Sequence, residues 1–350
     1  MISQDQLRKL GIYSWADLES EFKDSNILLG NGFSRSLADS FNYESLFTEF
    51  LSKCPAEYTN IFERFDTTNF ENIMEKLTYA IYVNELFDKQ EPRIEEAAKI
   101  LQDGLITTIR DIHPKSEAIC WDRLETIANK IRFFSDIYTL NYDLFIYHII
   151  MILKDQSEKN QQHLNSPKYK KLWQYSDSFY GDEYEEGRFR LCKYGINSTW
   201  YRAIYYLHGA LFIFGFGEQI DEMKLIRKDR EIELIELIGD TIKEGHIPVF
   251  VCEGSSDKKL EQIHSSSYLQ WVHKGFTKTE KHKFVIFGCS LSQQDTHIIN
   301  VLDKSANTLA ISLHIGEKTV EQLETIKQNY ENKFYKASVR FFDSETLFTK

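Results

Sequence analysis

The sequence is poor in the residues that break or staple a chain. It has five prolines in 350 residues, so no Pro-rich linker separates domains. It also has five cysteines: Cys54, Cys120, Cys192, Cys252 and Cys289. They are odd in number, widely spaced and free of any CxxC pair. That argues against a disulfide framework and against a four-thiolate zinc site. Buried single thiols in a reducing cytoplasm are the simpler reading. Basic residues are outnumbered too, with 42 Lys and Arg against 53 Asp and Glu, for a net charge of −11. This is the wrong sign for a general nucleic-acid binder. It still permits an anionic cofactor, because backbone N–H groups can hold phosphate without a basic surface. Long apolar runs are missing as well. The longest, LFIYHIIMIL at 144–153, is interrupted by His148 and is too short to span a bilayer. The opening MISQDQLRKLGIYSWADLESEF lacks the apolar core of a signal peptide. The expectation is a cytoplasmic protein with neither nucleic acid nor membrane as partner.

What is present is apolar and aromatic. With 25 Phe and 19 Tyr, the core is expected to pack on rings. NILLGNG, DIYTLNYD, IPVFVCEG, KFVIFGCS, TLAISLHIG and SVRFF read as strands. AIYYLHGALFIFGFG reads as one bent strand or as two. Helical patterns alternate with these runs. EIELIELIGDTIKEG is expected to close at Gly245, and SSDKKLEQIHSSSYLQWVHKGF to be capped by Ser255 or Ser256. SQQDTHIINVLDKS and TVEQLETIKQNYENK complete the set. Unbroken apolar strands between amphipathic helices predict an α/β fold, a Rossmann-like parallel sheet with helices on both faces. Residues 1–350 read as a single domain with two interruptions. Residues 44–133 form a helical insertion, with Phe70, Ile73, Met74, Leu77, Ala80 and Ile81 on one helix face. Residues 155–200 form a polar, Tyr-rich surface insertion.

Open parallel sheets bind ligands at the carboxyl ends of their strands. The residues that follow the expected strands are Gly30-Asn31-Gly32-Phe33-Ser34, Asn141-Tyr142-Asp143, His208-Gly209, Glu253-Gly254 and Gly288-Cys289-Ser290-Leu291. Each has a plain structural alternative. Gly30 and Gly32 suit positive φ in a tight turn. Asn141 and Asp143 suit a helix cap. His208 suits a satisfied core position. Ser292 to Asp295 has capping-box spacing, with Asp in place of Glu.

Taken in order, GNGFS, TLNYD, LHG and GCSL resemble the sirtuin-like superfamily. The resemblance is closest to its bacterial branch of NAD-hydrolysing defence proteins, and within it to a subfamily catalogued as a domain of unknown function. FNYESLF, FDTTNFE and SLSQQDTHI add to the likeness. The resemblance implies that Gly30, Asn31, Gly32, Phe33 and Ser34 lie against the NAD pyrophosphate. It implies Asn141 and Asp143 beside the nicotinamide and its ribose, and a catalytic His208 followed by Gly209. Gly288 and Ser290 would lie near the adenosine ribose. The implied activity is hydrolysis of NAD to nicotinamide and ADP-ribose by an anti-phage defence effector. Such an enzyme is toxic, so control by a homo- or hetero-oligomer or by a partner protein is expected. The residue types suit the chemistry: Asn141 can position water or ribose hydroxyls, Asp143 can accept from the carboxamide, and His208 can act as base. No metal is required. Two CxxC pairs and a Gly-Ile-Pro-Asp-Phe-Arg stretch mark the protein-deacylating sirtuins, and both are missing. This disfavours deacylation. A non-catalytic sensor that binds NAD or ADP-ribose and drives assembly is the alternative.

Overall fold

The computed structural model describes residues 2–38, 50–52, 55–65, 70–89, 91–115, 118–161, 175–184, 189–192, 202–215, 222–226, 233–243, 247–251, 255–279 and 282–349. The strands among them are β1 (Ile12–Tyr13), β2 (Asn26–Leu29), β3 (Ile137–Thr139), β4 (Tyr175–Ser176), β5 (Phe179–Tyr184), β6 (Phe189–Cys192) and β7 (Arg202–Tyr206). They continue with β8 (Gly209–Gly215), β9 (Met223–Leu225), β10 (Ile247–Phe250), β11 (Lys283–Phe287), β12 (Thr308–Leu313) and β13 (Ser338–Asp343). Eight of them build one parallel sheet in the order β1-β13-β12-β11-β2-β3-β7-β4.

The apolar strands require that both faces be covered. Successive side chains leave a strand on opposite sides. Ile27, Leu29, Val285 and Phe287 enter one core layer, while Leu28, Phe284 and Ile286 enter the other. Helix Trp121–Ile131 closes the first layer with Leu124, Ile127, Ala128 and Ile131. Helices Thr296–Ser305 and Val320–Lys333 close the second with Ile298, Leu302, Leu323 and Tyr330. The fold is Rossmann-like α/β, as the alternation of runs predicted. The chain moves outward from β2 through β3 to β7, then returns to β11 on the other side of β2 and moves outward again. The direction of winding therefore reverses between β2 and β11, and such a reversal opens a crevice at the carboxyl edge.

Other features differ from expectation. AIYYLHGALFIFGFG is two strands in two different sheets. β7 belongs to the parallel sheet, and β8 to a second, antiparallel sheet of order β10-β8-β9-β6-β5. IPVF, expected among the parallel strands, is β10 and pairs antiparallel with β8. The turn between β7 and β8 depends on Gly209 at φ +74, where a Cβ would lie 2.0 Å from the Val249 carbonyl oxygen. The stretch expected as one helix capped by Ser255 or Ser256 is two, Ser256–Ser265 and Ser267–Thr277. Ser266 breaks it by adopting an extended backbone. Buried thiols were expected, and Cys289 is buried, but Cys120 is exposed.

Within 44–133 the helices include Ala56–Arg64, Phe70–Leu86, Pro92–Ile112 and Trp121–Ile131. Ile73 is fully buried on the inner face of its helix. Within 155–200 the described parts include β4, β5 and β6. FNYESLF, Gly245, Glu253-Gly254, Cys54, Cys252 and most of FDTTNFE lie outside the described residues. Among the described residues no helix is long and apolar enough to cross a membrane.

Candidate functional site

Two glycine turns meet at the winding reversal. β2 ends at Leu29, and Gly30 caps the short helix Asn31–Arg35 with an extended backbone. Gly30 N–H donates to the Phe287 carbonyl at 2.9 Å, and Gly32 N–H to the Gly288 carbonyl at 2.8 Å. A Cβ on Gly32 would lie 2.7 Å from Gly288 Cα, and one on Gly30 2.6 Å from Cys289 Sγ. The loops after β2 and β11 thus touch backbone to backbone. Gly30 is needed for this closeness and not for positive φ, since its φ is −117. Positive φ falls on Gly288 (+68) and on Leu291 (+46). Phe33 anchors the turn by packing edge-on against Phe287 and Phe348. Asn31 is half-buried in the first turn.

Asn141 ties this corner to the end of β3. Its side-chain amide donates to the Gly30 carbonyl at 2.9 Å and to Ser34 Oγ at 2.8 Å. Ser34 in turn donates to Asp143. The other Asp143 oxygen accepts Phe145 N–H at 2.9 Å, at the start of helix Phe145–Gln161. All three side chains are buried. Burial pushes the Asp143 carboxyl up, against the opposing pull of its donors, Ser34 first and then the Phe145 and Asp143 backbone N–H groups. The structure therefore unites Gly30, Ser34, Asn141 and Asp143. His113, which the sequence reading missed, completes the corner: its Nε2 accepts Leu144 N–H at 3.2 Å. Burial lowers His113 to a pKa of about 4.

His208, after β7, belongs to a second polar group. Its Nε2 lies 3.0 Å from Nε2 of His297 in helix Thr296–Ser305. His297 Nδ1 is 3.1 Å from Ser256 Oγ, which also accepts His297 N–H at 2.7 Å. Lys259, 1% exposed, pairs with Asp295 at 3.3 Å. Burial holds His208 well below its ordinary pKa, with Lys259, His297 and His273 adding to the effect. Burial and then Lys259 lower His297 to about 3. Both rings are neutral at neutral pH, so His208 does not titrate near 6.5.

Gly209 packs beneath Val249 and Phe250. Gly288 joins the glycine corner and donates to Ser312 Oγ at 3.0 Å. The Ser290 side chain is exposed, and its carbonyl accepts from Tyr330 at 3.1 Å. His297 and Asp295 lie in SLSQQDTHI, whose local pattern signals only the capping-box spacing. That box does form, between Ser292 and Asp295. Ser256 and Lys259 gave no local signal beyond a helix start. A surface depression of about 400 Å³ between Arg8, Tyr13, Asp17, Leu18, Glu21 and Arg340 holds none of the site residues. Among the described residues no group of three or more His, Cys, Asp or Glu is placed to hold a metal ion.

Fold and site together define a Rossmann-like α/β protein whose carboxyl edge carries two buried polar groups. The chain belongs to the family described as a domain of unknown function (DUF4917), which matches residues 27–348. No curated protein matches it with significance.

Proposed function

We propose that the chain is a sirtuin-like NAD hydrolase that cleaves NAD to nicotinamide and ADP-ribose. One observation carries the reading. The Asn141 amide joins Gly30 to Ser34, so the pyrophosphate-side turn and the ribose-side motif of the resemblance act as one rigid unit. That unit stands where parallel sheets take ligands. In the reaction, the C1′–N bond breaks with its electron pair going to nicotinamide, which leaves neutral. Water adds to C1′ and gives up a proton. His208, neutral at working pH, accepts that proton, and Asn141 orients the water or the ribose hydroxyls. General-base help of this kind is worth ~10²- to 10⁴-fold. NAD depletion as an anti-phage response follows from the resemblance, and because uncontrolled NAD loss is toxic, activity is low at rest and released by oligomerisation or by a partner protein. Helix Phe70–Leu86 supports control by assembly. It leaves Tyr79, Tyr82, Val83 and Leu86 exposed at i, i+3, i+4 and i+7, an apolar face of the kind that marks interaction sites.

The test is nicotinamide release from NAD by the purified full chain, with and without candidate activators. His208→Ala and Asn141→Ala are each expected to abolish turnover. Full activity in either variant removes the site assignment, and no release under any condition removes the hydrolase.

A second reading is a non-catalytic sensor of NAD or ADP-ribose. It is favoured by the way Ser34, Asn141 and Asp143 bond to one another, as a scaffold does. It predicts calorimetric binding of NAD and a change in sedimentation, with no nicotinamide formed.

A further inference from the structure

We propose that His297, gripped by Ser256, is a positioning residue that fixes the tautomer of His208 and leaves His208 Nδ1 as the proton acceptor. The role in turnover rests on the NAD-hydrolase reading, while the tautomer itself does not. The ring centroids of His208 and His297 are 5.3 Å apart and their planes differ by 22°. With the two Nε2 atoms at 3.0 Å, the rings meet head-on, in the plane of an N–H···N hydrogen bond and not face to face. A neutral pair has room for one proton in that bond, so the tautomer of one ring dictates that of the other. If His208 carries Nε2–H, His297 accepts it and donates its own Nδ1–H to Ser256 Oγ.

Ser256 holds both the ring and the main chain of His297, so the ring cannot swing away. Lys259 and Asp295 clamp the two helix starts together at 3.3 Å. The bracket formed by helices Ser256–Ser265 and Thr296–Ser305 therefore holds the His297 ring in place at the end of β7. Among the described residues, the other groups whose charge acts on His208 are Lys259 and, from helix Ser267–Thr277, His273; Asp295 pairs with Lys259. During turnover the water O–H bond breaks and its proton goes to His208 Nδ1. The Nε2–H bond to His297 then shares the resulting charge.

The experiment uses full-length protein labelled with ¹⁵N-histidine, with the His208 signal assigned by its loss in His208→Asn. The wild type is expected to show His208 with protonated Nε2 and bare Nδ1. His297→Ala should mix the tautomers and Ser256→Ala should mix them in part. His297→Gln, whose amide oxygen accepts the same proton, should restore the wild-type state. Nicotinamide release should fall roughly 10²-fold in kcat for His297→Ala with KM unchanged, and recover in His297→Gln. A bare Nε2 on His208 in the wild type, or an unmoved tautomer in His297→Ala, overturns the proposal. If His297→Ala does not fold, Ser256→Ala and His297→Gln decide the tautomer. If the wild type releases no nicotinamide, the hydrolase reading fails, and the ¹⁵N spectra still decide whether His297 sets the state of His208.

Discussion

Gly288 sits at φ +68, and a Cβ there would lie 2.5 Å from Phe33 N and 2.7 Å from the Gly32 carbonyl carbon. Both neighbours are backbone and cannot turn aside as a side chain does. Gly288→Ala therefore combines left-handed strain with a collision, and it should separate the two glycine turns. The expected loss is ~2–4 kcal/mol, read from the urea unfolding midpoint. A loss below ~1 kcal/mol would show that the turns do not touch as described. The residue types along the carboxyl edge are legible in the sequence, because Gly, Asn, Asp and His at strand ends announce a polar edge, although His113 at the glycine corner is not among them. The partners are not legible. Gly30 meets Gly288, and His208 meets His297, only after the sheet has brought distant loops together. Nothing in the local spacing around His297 points to β7.

Elements show the same division between local and tertiary information. The parallel strands were readable as unbroken apolar runs, because burial on both faces removes polar alternation. β10 has a similar run and joins the antiparallel sheet, since an apolar run does not state the direction of its partner. Pro248 was the available signal. Proline lacks an N–H for the ladder and is confined to edge strands, and β10 is the edge of its sheet. The helix break at Ser266 shows what fixes an element end. Ser266 Oγ accepts Leu269 N–H at 3.1 Å and donates to Glu222 at 2.6 Å. Glu222 also accepts Tyr268 N–H at 3.0 Å. One hydroxyl thus caps helix Ser267–Thr277 and satisfies part of a buried carboxylate. Ser266→Ala should lower stability by ~1–2 kcal/mol, measured by thermal or urea unfolding. Ser266→Thr, which keeps the oxygen, should recover most of that loss. Equal losses in both variants would show that packing, and not the cap, is what Ser266 supplies.

At the scale of the whole molecule, buried imidazoles couple folding to pH. His113 has a pKa of about 4, His297 of about 3, and His208 lies well below its ordinary value, in each case mainly through burial. In the unfolded chain the same rings take up protons near pH ~6.5. Above that pH neither state is protonated, and the stability that depends on neutral rings is fully present. As pH falls below 6.5, the unfolded chain binds protons that the folded chain refuses. Stability then declines until the folded pKa values are reached. Each proton contributes a slope of up to about 1.4 kcal/mol per pH unit. Protonating His113 also removes the lone pair that accepts Leu144 N–H. Asp143 acts in the opposite sense. Its raised pKa lets the folded state hold a proton that the unfolded state has released, so above the ordinary carboxylate range it offsets part of the decline. The prediction is a flat urea-unfolding free energy from pH 8 to 7 and a steady fall between 6.5 and 4. The fall should be shallower in His113→Gln by the slope of about one proton. A free energy that stays level from pH 6.5 to 5 would mean that the rings are not held neutral in the fold. It would remove the ground for treating His208 as an unprotonated base at working pH.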